Sequence, residues 1–191
     1  MKGIALLFVG PDGSGRNTLA EAIGITLHIP RVISYTTRPK RPYETEAKEY
    51  HFIGEELFKK MEKRGEFIES VHSDGYYYGI KKEDCEDLLA EAGSFFAVVS
   101  PEGCEIFKQH FEKHLTIFVY ADKETVTKRQ QKRGDDPEAI ARHLRYYDQI
   151  MAYKDKCDIA LPNYDLSSTA QELTKRIEEF LNIEYHPDSK Y

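Results

Sequence analysis

A chain of 191 residues that is 40% hydrophobic and carries 13 Tyr and 10 Phe is long and apolar enough to close one core, which excludes global disorder. Its formal net charge of -6 excludes a general basic field for a nucleic-acid polymer, so an anionic ligand must be met by local arginines and backbone N–H groups. Cys85, Cys104 and Cys157 show no paired spacing, which argues against a zinc site or a disulfide framework and fits a reducing, cytoplasmic setting.

The chain opens with "MKGIALLFVG", whose apolar run Ile4 to Val9 is too short for a membrane span and lacks a signal-cleavage pattern. It reads as a buried first strand, and no membrane partner is expected. A helical run begins near Arg16. Further strand-like runs follow at "FFAVVS" (95–100), "LTIFVYA" (115–121) and "DIALP" (158–162), separated by helical spacing. Continuous apolar runs that alternate with helices predict a parallel α/β sheet covered on both faces. The stretch 32–82, "SYTTRPKRPYETEAKEYHF" and then "EFIESVHSDGYYYGI", is crowded with Tyr, Thr, Arg and Glu, as a small-molecule-binding lobe would be. After the third strand, "KETVTKRQQKRGDDPEAIARHLRYYDQI" has helical signals on both sides of a Gly-Asp-Asp-Pro break, which predicts a mobile corner. "AQELTKRIEEFLNI" predicts one closing helix, and "EYHPDSKY" reads as a polar tail.

Between the first strand and the first helix stands "GPDGSGRNT", with Gly10, Gly13 and Gly15. Strand, glycine-rich turn and helix start are the context of a phosphate loop, in which backbone N–H groups curl around phosphate oxygens. The usual G-x-x-x-x-G-K-[ST] pattern has a lysine for the β- and γ-phosphates and then a hydroxyl for magnesium. Arg16 and Asn17 take those positions here, and Thr18 comes one place later. Arginine keeps the charge in a wider, planar form, and Asn17 offers a neutral carbonyl oxygen as a magnesium ligand. The competing reading is a merely tight strand-to-helix turn.

In the middle stretch, Arg38 and Arg41 could fork onto one phosphate with help from the phenols of Tyr50 and Tyr78. Glu69 accepts hydrogen bonds only, and guanine presents two adjacent donors on its N1 and N2 edge. The competing reading pairs the arginines with Glu44, Glu46 and Glu49 and packs the tyrosines.

Taken in order, this phosphate loop and the two middle segments resemble the guanylate kinase family over most of residues 4–165. The resemblance implies a three-layer P-loop kinase core with a parallel sheet, an inserted monophosphate-binding lobe and a helical lid. One domain, 1–191, would then divide into core (1–31, 83–124 and 146–191), lobe (32–82) and lid (125–145). It places Gly10, Gly13, Ser14, Gly15, Arg16, Asn17, Thr18 and Asn163 around ATP, with Asn163 in the donor-base segment "LPNYDL". Ser34, Arg38, Arg41, Tyr50, Tyr78 and Gly79 fall around GMP, and Glu69 on the guanine edge. Arg129, Arg133 and Arg142 match the lid arginines, with about two residues fewer between the second and third than the usual form.

Several positions depart from the family pattern. Val98, Val99 and Ser100 stand where an Asp-x-Asp pair usually ends the third core strand, so both carboxylates are absent. Ile80 replaces the hydroxyl residue that helps read the base, and Tyr43 and Ala47 replace two loop glycines. One lost base contact lowers discrimination about tenfold or more. The expected activity is transfer of the γ-phosphoryl group of ATP, with Mg2+, to GMP or dGMP, giving ADP and GDP. The alternatives are a catalytically impaired nucleotide-sensing or protein-binding module and a kinase for another nucleoside monophosphate. Expected partners are small nucleotides and no nucleic-acid polymer, with the chain a monomer or homodimer.

Overall fold

The computed structural model of the chain describes residues 4–42, 44–73 and 75–185, with side chains to residue 181. Tyr43 and the end of the expected polar tail lie outside the described residues. In chain order the elements are β1 (Ile4–Val9), α1 (Arg16–Leu27), β2 (Tyr35–Thr36), β3 (His51–Phe52), α2 (Glu55–Lys63), β4 (Phe67–Ser73), β5 (Tyr76–Lys81), α3 (Lys82–Ala92) and β6 (Ser94–Val98). Then come α4 (Pro101–His110), β7 (His114–Tyr120), α5 (Lys123–Arg133), α6 (Pro137–Met151), a 3-10 turn (Lys154–Lys156), β8 (Ile159–Pro162) and α7 (Leu166–Tyr185).

The strands β6, β1, β7 and β8, in that order, form the expected parallel sheet, flanked by helices. Every residue of β1 is buried, as a central strand covered on both faces requires. The chain forms two compact units, one of residues 4–9 and 30–116, the other of residues 10–29 and 117–185.

In the first unit, β1 pairs with β6 from Ile4 opposite Ser94 to Phe8 opposite Val98. Phe95, Phe107 and Phe111 pack as one ring cluster beside them, with centroids 5.3–6.4 Å apart. A second, mostly antiparallel sheet, β3-β2-β5-β4, makes up the lobe. Phe58 of α2 is fully buried and stacks on Phe67 at 4.5 Å. Part of the aromatic richness of 32–82 is therefore a small core of the lobe's own.

The strand expected to run through Ser100 stops at Val98. Ser100 instead takes the N-cap position of α4: its Oγ accepts the Gly103 N–H at 2.9 Å, and Pro101 supplies a preset first helical φ.

In the second unit, α1 packs on α7, whose Leu173 and Ile177 are fully buried. Val126 and Tyr147 close the α5–α6 hairpin over Ala121, and the Tyr147 phenol donates to the Ala121 carbonyl at 2.8 Å. The Gly-Asp-Asp-Pro corner is two adjoining caps. Gly134 adopts φ 82 at the end of α5, and Asp136 accepts the N–H groups of Glu138 and Ala139 at the start of α6.

Asp136→Ala is expected to destabilise the fold by about 1 kcal/mol, seen as a melting temperature roughly 2–4 °C lower, while Asp136→Asn stays near wild type. Thermal denaturation of the two variants checks this.

Candidate functional site

In the second unit, the chain leaves β1 through a turn that only glycine can make at two points. Gly13 has φ +82, and a Cβ there would lie 2.6 Å from the Val126 carbonyl oxygen. Gly15 has φ +84, and a Cβ there would lie 2.6 Å from Asn163 Nδ2. α1 then starts with neither a side-chain cap nor an acidic residue in its first turn. Its N-terminal N–H groups and dipole thus present an uncompensated positive end. A cavity of about 310 Å³ opens against this end, lined by Asp12, Gly13, Gly15, Arg16, Asn17, Thr18, Arg129, Arg133, Asn163 and Leu166.

The loop is fixed through the Ser14 carbonyl, which accepts from Asn163 Nδ2 at 2.8 Å and from Arg129 Nη1 at 3.2 Å. Two buried polar atoms beside that junction, Ser14 Oγ and Asn163 Oδ1, have no hydrogen-bond partner among the described residues. An unmet buried polar atom costs about 1–3 kcal/mol, so the junction favours a polar ligand that satisfies it. Arg16 turns back on the loop: Nη1 donates to the Gly10 carbonyl, and Nη2 meets Asp12 Oδ1 at 3.3 Å. Asn17 and Thr18 are exposed on the first turn. Arg133 pairs with Asp135, and Arg142 lies half-buried on α6 without lining the cavity. Gln130, which the sequence reading passed over, supports the loop as well. Its Nε2 reaches the Asp12 carbonyl at 3.4 Å, and its Oε1 meets His143 Nδ1 at 2.6 Å.

The first unit holds the other cluster. Tyr78 pairs with Val71, and Ile80 with Glu69, across β4 and β5. Paired residues share a face and alternate residues share it too, so Glu69, Val71, Tyr78 and Ile80 project from one side of the lobe sheet. Thr36 joins them opposite Tyr78. The Arg38 guanidinium lies 5.5 Å from the Tyr50 ring centre, and the Tyr50 and Tyr78 rings are 6.0 Å apart. Burial first, and then the neighbouring Tyr50, push the Tyr78 phenol above its ordinary range against the opposing charge of Arg38. Tyr78 therefore remains a protonated donor at neutral pH.

The ion pairing weighed for the arginines is partly realised. Arg38 forks onto Glu44 with bonds of 3.0 and 2.6 Å, and the Arg41 backbone N–H donates to Glu44 at 2.7 Å. Glu46 pairs with His51, and Glu49 accepts the Thr45 N–H. Burial alone would raise the Glu44 carboxyl. The Arg38 fork, the Arg41 N–H and both guanidinium charges outweigh burial and hold it below the usual carboxylate range. Glu44 thus sets the direction of the Arg38 fork.

Arg41 carries an exposed side chain, and the Ser34 carbonyl accepts the His51 N–H at 2.9 Å. Gly79 has a packing reason: a Cβ would meet the Phe67 and Phe58 rings at 2.9–3.0 Å. Glu69 is 7% exposed and accepts from Ser100 Oγ at 3.0 Å. In sequence Ser100 reads as the end of a strand and as a missing carboxylate. Its place in Ser-Pro-Glu-Gly, a helix-start pattern, was the available signal.

A glycine loop opening a helix next to a parallel strand, with arginines and paired tyrosines on an inserted sheet, defines an α/β phosphate-binding protein. The chain belongs to the guanylate kinase family, whose family model, described as guanylate kinase, matches residues 2–180. It is 32% identical to the guanylate kinase of Paraburkholderia xenovorans, over 90% of this chain and 77% of that protein. It is 33% identical to that of Prochlorococcus marinus subsp. pastoris, over 90% of this chain and 95% of that protein. The crystal structure of guanylate kinase from Anaplasma phagocytophilum superposes with a TM-score of 0.70 at 25% identity, covering 95% of this chain and 86% of that one.

Because the Glu44 carboxyl is depressed in the folded state, its stabilisation is present above the unfolded carboxylate range and is lost as pH falls through the native value. Glu44→Gln is expected to unfold at about 1–3 kcal/mol lower stability at pH 7, with the gap closing as pH drops toward 3. Urea denaturation across that range checks it, and a gap independent of pH contradicts it.

Proposed function

We propose that the chain transfers the γ-phosphoryl group of ATP to GMP or dGMP, giving ADP and GDP, as its family and its relatives' names support. The observation that carries the acceptor reading is one sheet face presenting a buried carboxylate, Glu69, and a phenol, Tyr78, that contacts a held arginine. Glu69 would accept from guanine N1 and N2, a pairing adenine cannot make. Arg38, Arg41, Tyr50, Tyr78 and Ser34 would hold the monophosphate, and Gly79 would keep that strand close to its aromatic base.

On the donor side, Gly10, Gly13, Ser14 and Gly15 would wrap the phosphates, and Arg16 and Thr18 would contact them from the first turn of α1. Asn163 would hold the donor side of the loop through Ser14. Arg129 and Arg133 would neutralise the transferring charge, joined by Arg142 when residues 125–145 close as a lid. No side chain need become a nucleophile: the chain binds, aligns and excludes water, and an acceptor phosphate oxygen attacks in line.

The cavity at the start of α1 offers the Asn17 amide oxygen and the Thr18 hydroxyl, neutral oxygen donors that fit a Mg2+ ion held chiefly by nucleotide phosphates and water. Asn17 Oδ1 is the chain's own candidate ligand. Bound there, the ion would spread the phosphate charge. Among the described residues no helix is long and apolar enough to cross a membrane. The unmatched spacing of Cys85, Cys104 and Cys157 in the sequence supports a reducing, cytoplasmic setting.

One observation favours a slower enzyme or a nucleotide-sensing module. Arg16 is engaged by Gly10 and Asp12, whereas a lysine in its place is a point charge on a flexible stem.

A coupled assay with ATP and Mg2+ against GMP, dGMP, AMP, CMP and UMP is expected to show turnover with GMP and dGMP only. Transfer to none, beside calorimetric GMP binding, would leave the sensing module. Arg16→Lys with Asn17→Ser is expected to raise kcat/KM for ATP roughly tenfold or more. No gain would place the limit outside the loop.

A further inference from the structure

We propose that Ser100 is a positioning residue for base recognition: its hydroxyl fixes the plane of the Glu69 carboxylate against the N-terminus of α4. The inference rests on the reading of Glu69 as the acceptor of the guanine edge.

Three contacts define the arrangement. The Gly103 N–H donates to Ser100 Oγ at 2.9 Å, and Ser100 Oγ lies 3.0 Å from Glu69 Oε1. A Cβ on Gly103 would come within 1.9 Å of Oε1, 2.2 Å of Cδ and 2.6 Å of Oε2, so the carboxyl group seats directly on the first turn of α4.

The direction of the hydroxyl proton follows from chemistry. An ionised carboxylate only accepts, and one lone pair of Oγ is already taken by the Gly103 N–H, so the single Ser100 proton points to Oε1. The result is a relay, from helix N–H to hydroxyl to carboxylate, that polarises along its length and carries the positive end of α4 to Glu69.

A glutamate carboxyl turns about a broad, nearly two-fold terminal torsion. Reading N1–H and N2–H together requires both oxygens in the plane of the base, so free rotation would weaken the second bond more than the first. Ser100 and the Gly103 backbone, both at the start of α4, restrict that freedom. The side chain at a position read in sequence as a loss of charge thus supplies orientation. Ile80, opposite Glu69 in the pair of strands, is 3% exposed and offers no hydrogen bond to the base, so discrimination falls on how well the carboxylate is aimed.

The test compares GMP with IMP, which keeps the N1 donor and lacks the 2-amino group, in the full-length protein with ATP and Mg2+. Ser100→Ala is expected to raise KM for GMP about tenfold, the worth of one charge-assisted hydrogen bond, and to lower the GMP-to-IMP ratio of kcat/KM by a similar factor. KM for ATP should move less than twofold. Ser100→Gly removes the hydroxyl and remains an acceptable helix start, so it should fold and repeat the effect. Ser100→Thr should restore the wild-type ratio. Loss of helix capping alone would lower the melting temperature and leave the ratio untouched, and that result in both Ala and Gly variants overturns the proposal. Glu69→Gln is the control. If it abolishes the GMP preference while both Ser100 variants keep it, the positioning role alone fails. If it leaves the preference intact, Glu69 does not read the base, and the proposal falls with that reading.

Discussion

A charge taken out of water must be met by donors, and the acceptor lobe is arranged around two carboxylates under that constraint. Glu44, with its side chain only 5% exposed, is enclosed by the Arg38 fork and the Arg41 N–H. Glu69 is met by the Ser100 hydroxyl on the first turn of α4. The first pairing points a guanidinium toward Tyr50 and Tyr78, and the second aims a carboxylate along the same sheet face. The orientation of both charged groups is thus set by how the lobe satisfies its own buried acids.

The loop after β1 has the complementary need. Its backbone donors and the uncapped start of α1 call for an anion, and the buried Ser14 Oγ and Asn163 Oδ1 call for polar partners. Asp12 stands inside this electropositive turn, and Arg16 is drawn to it and to the Gly10 carbonyl. A phosphate must compete with those contacts for the guanidinium. Arg16 and Asn17 are the departures from the family pattern in this loop, and the lobe-sheet face keeps Glu69 and Tyr78. Ile80 and Ser100 are the changes on that face, and only Ile80 is a plain loss of a polar contact.

Local chemistry was legible in the sequence. The six apolar residues of β1, the glycines before Arg16 and the spacing of α1 read as strand, phosphate turn and helix because each signal lies within a few neighbours. Arg38 and Tyr78 were legible as phosphate-binding types. What held Arg38 was visible six residues away in Glu44, but ion pairing and ligand binding looked like rivals, whereas one guanidinium is oriented by the pair and can still turn its remaining donors to a ligand. The contacts hidden from pattern reading are the distant ones. Ser100 reaches Glu69 across 31 positions, and Asn163 reaches Ser14 across 149. No spacing rule encodes such pairs, since tertiary packing decides them. The Gly-Asp-Asp-Pro corner reads as a break because Gly and Asp-Pro are the residues that end one helix and begin the next, and here they cap α5 and α6.

The central claim is that this lobe seats GMP with its base on Glu69 and its phosphate on the arginine and tyrosine group. A crystal structure of the protein grown with GMP tests it most directly. The account predicts guanine N1 and N2 within hydrogen-bond distance, about 3 Å, of the Glu69 carboxylate, with phosphate oxygens at Arg38, Tyr50 and Tyr78. A base turned away from Glu69, or GMP seated only at the Gly13–Thr18 turn, would contradict it.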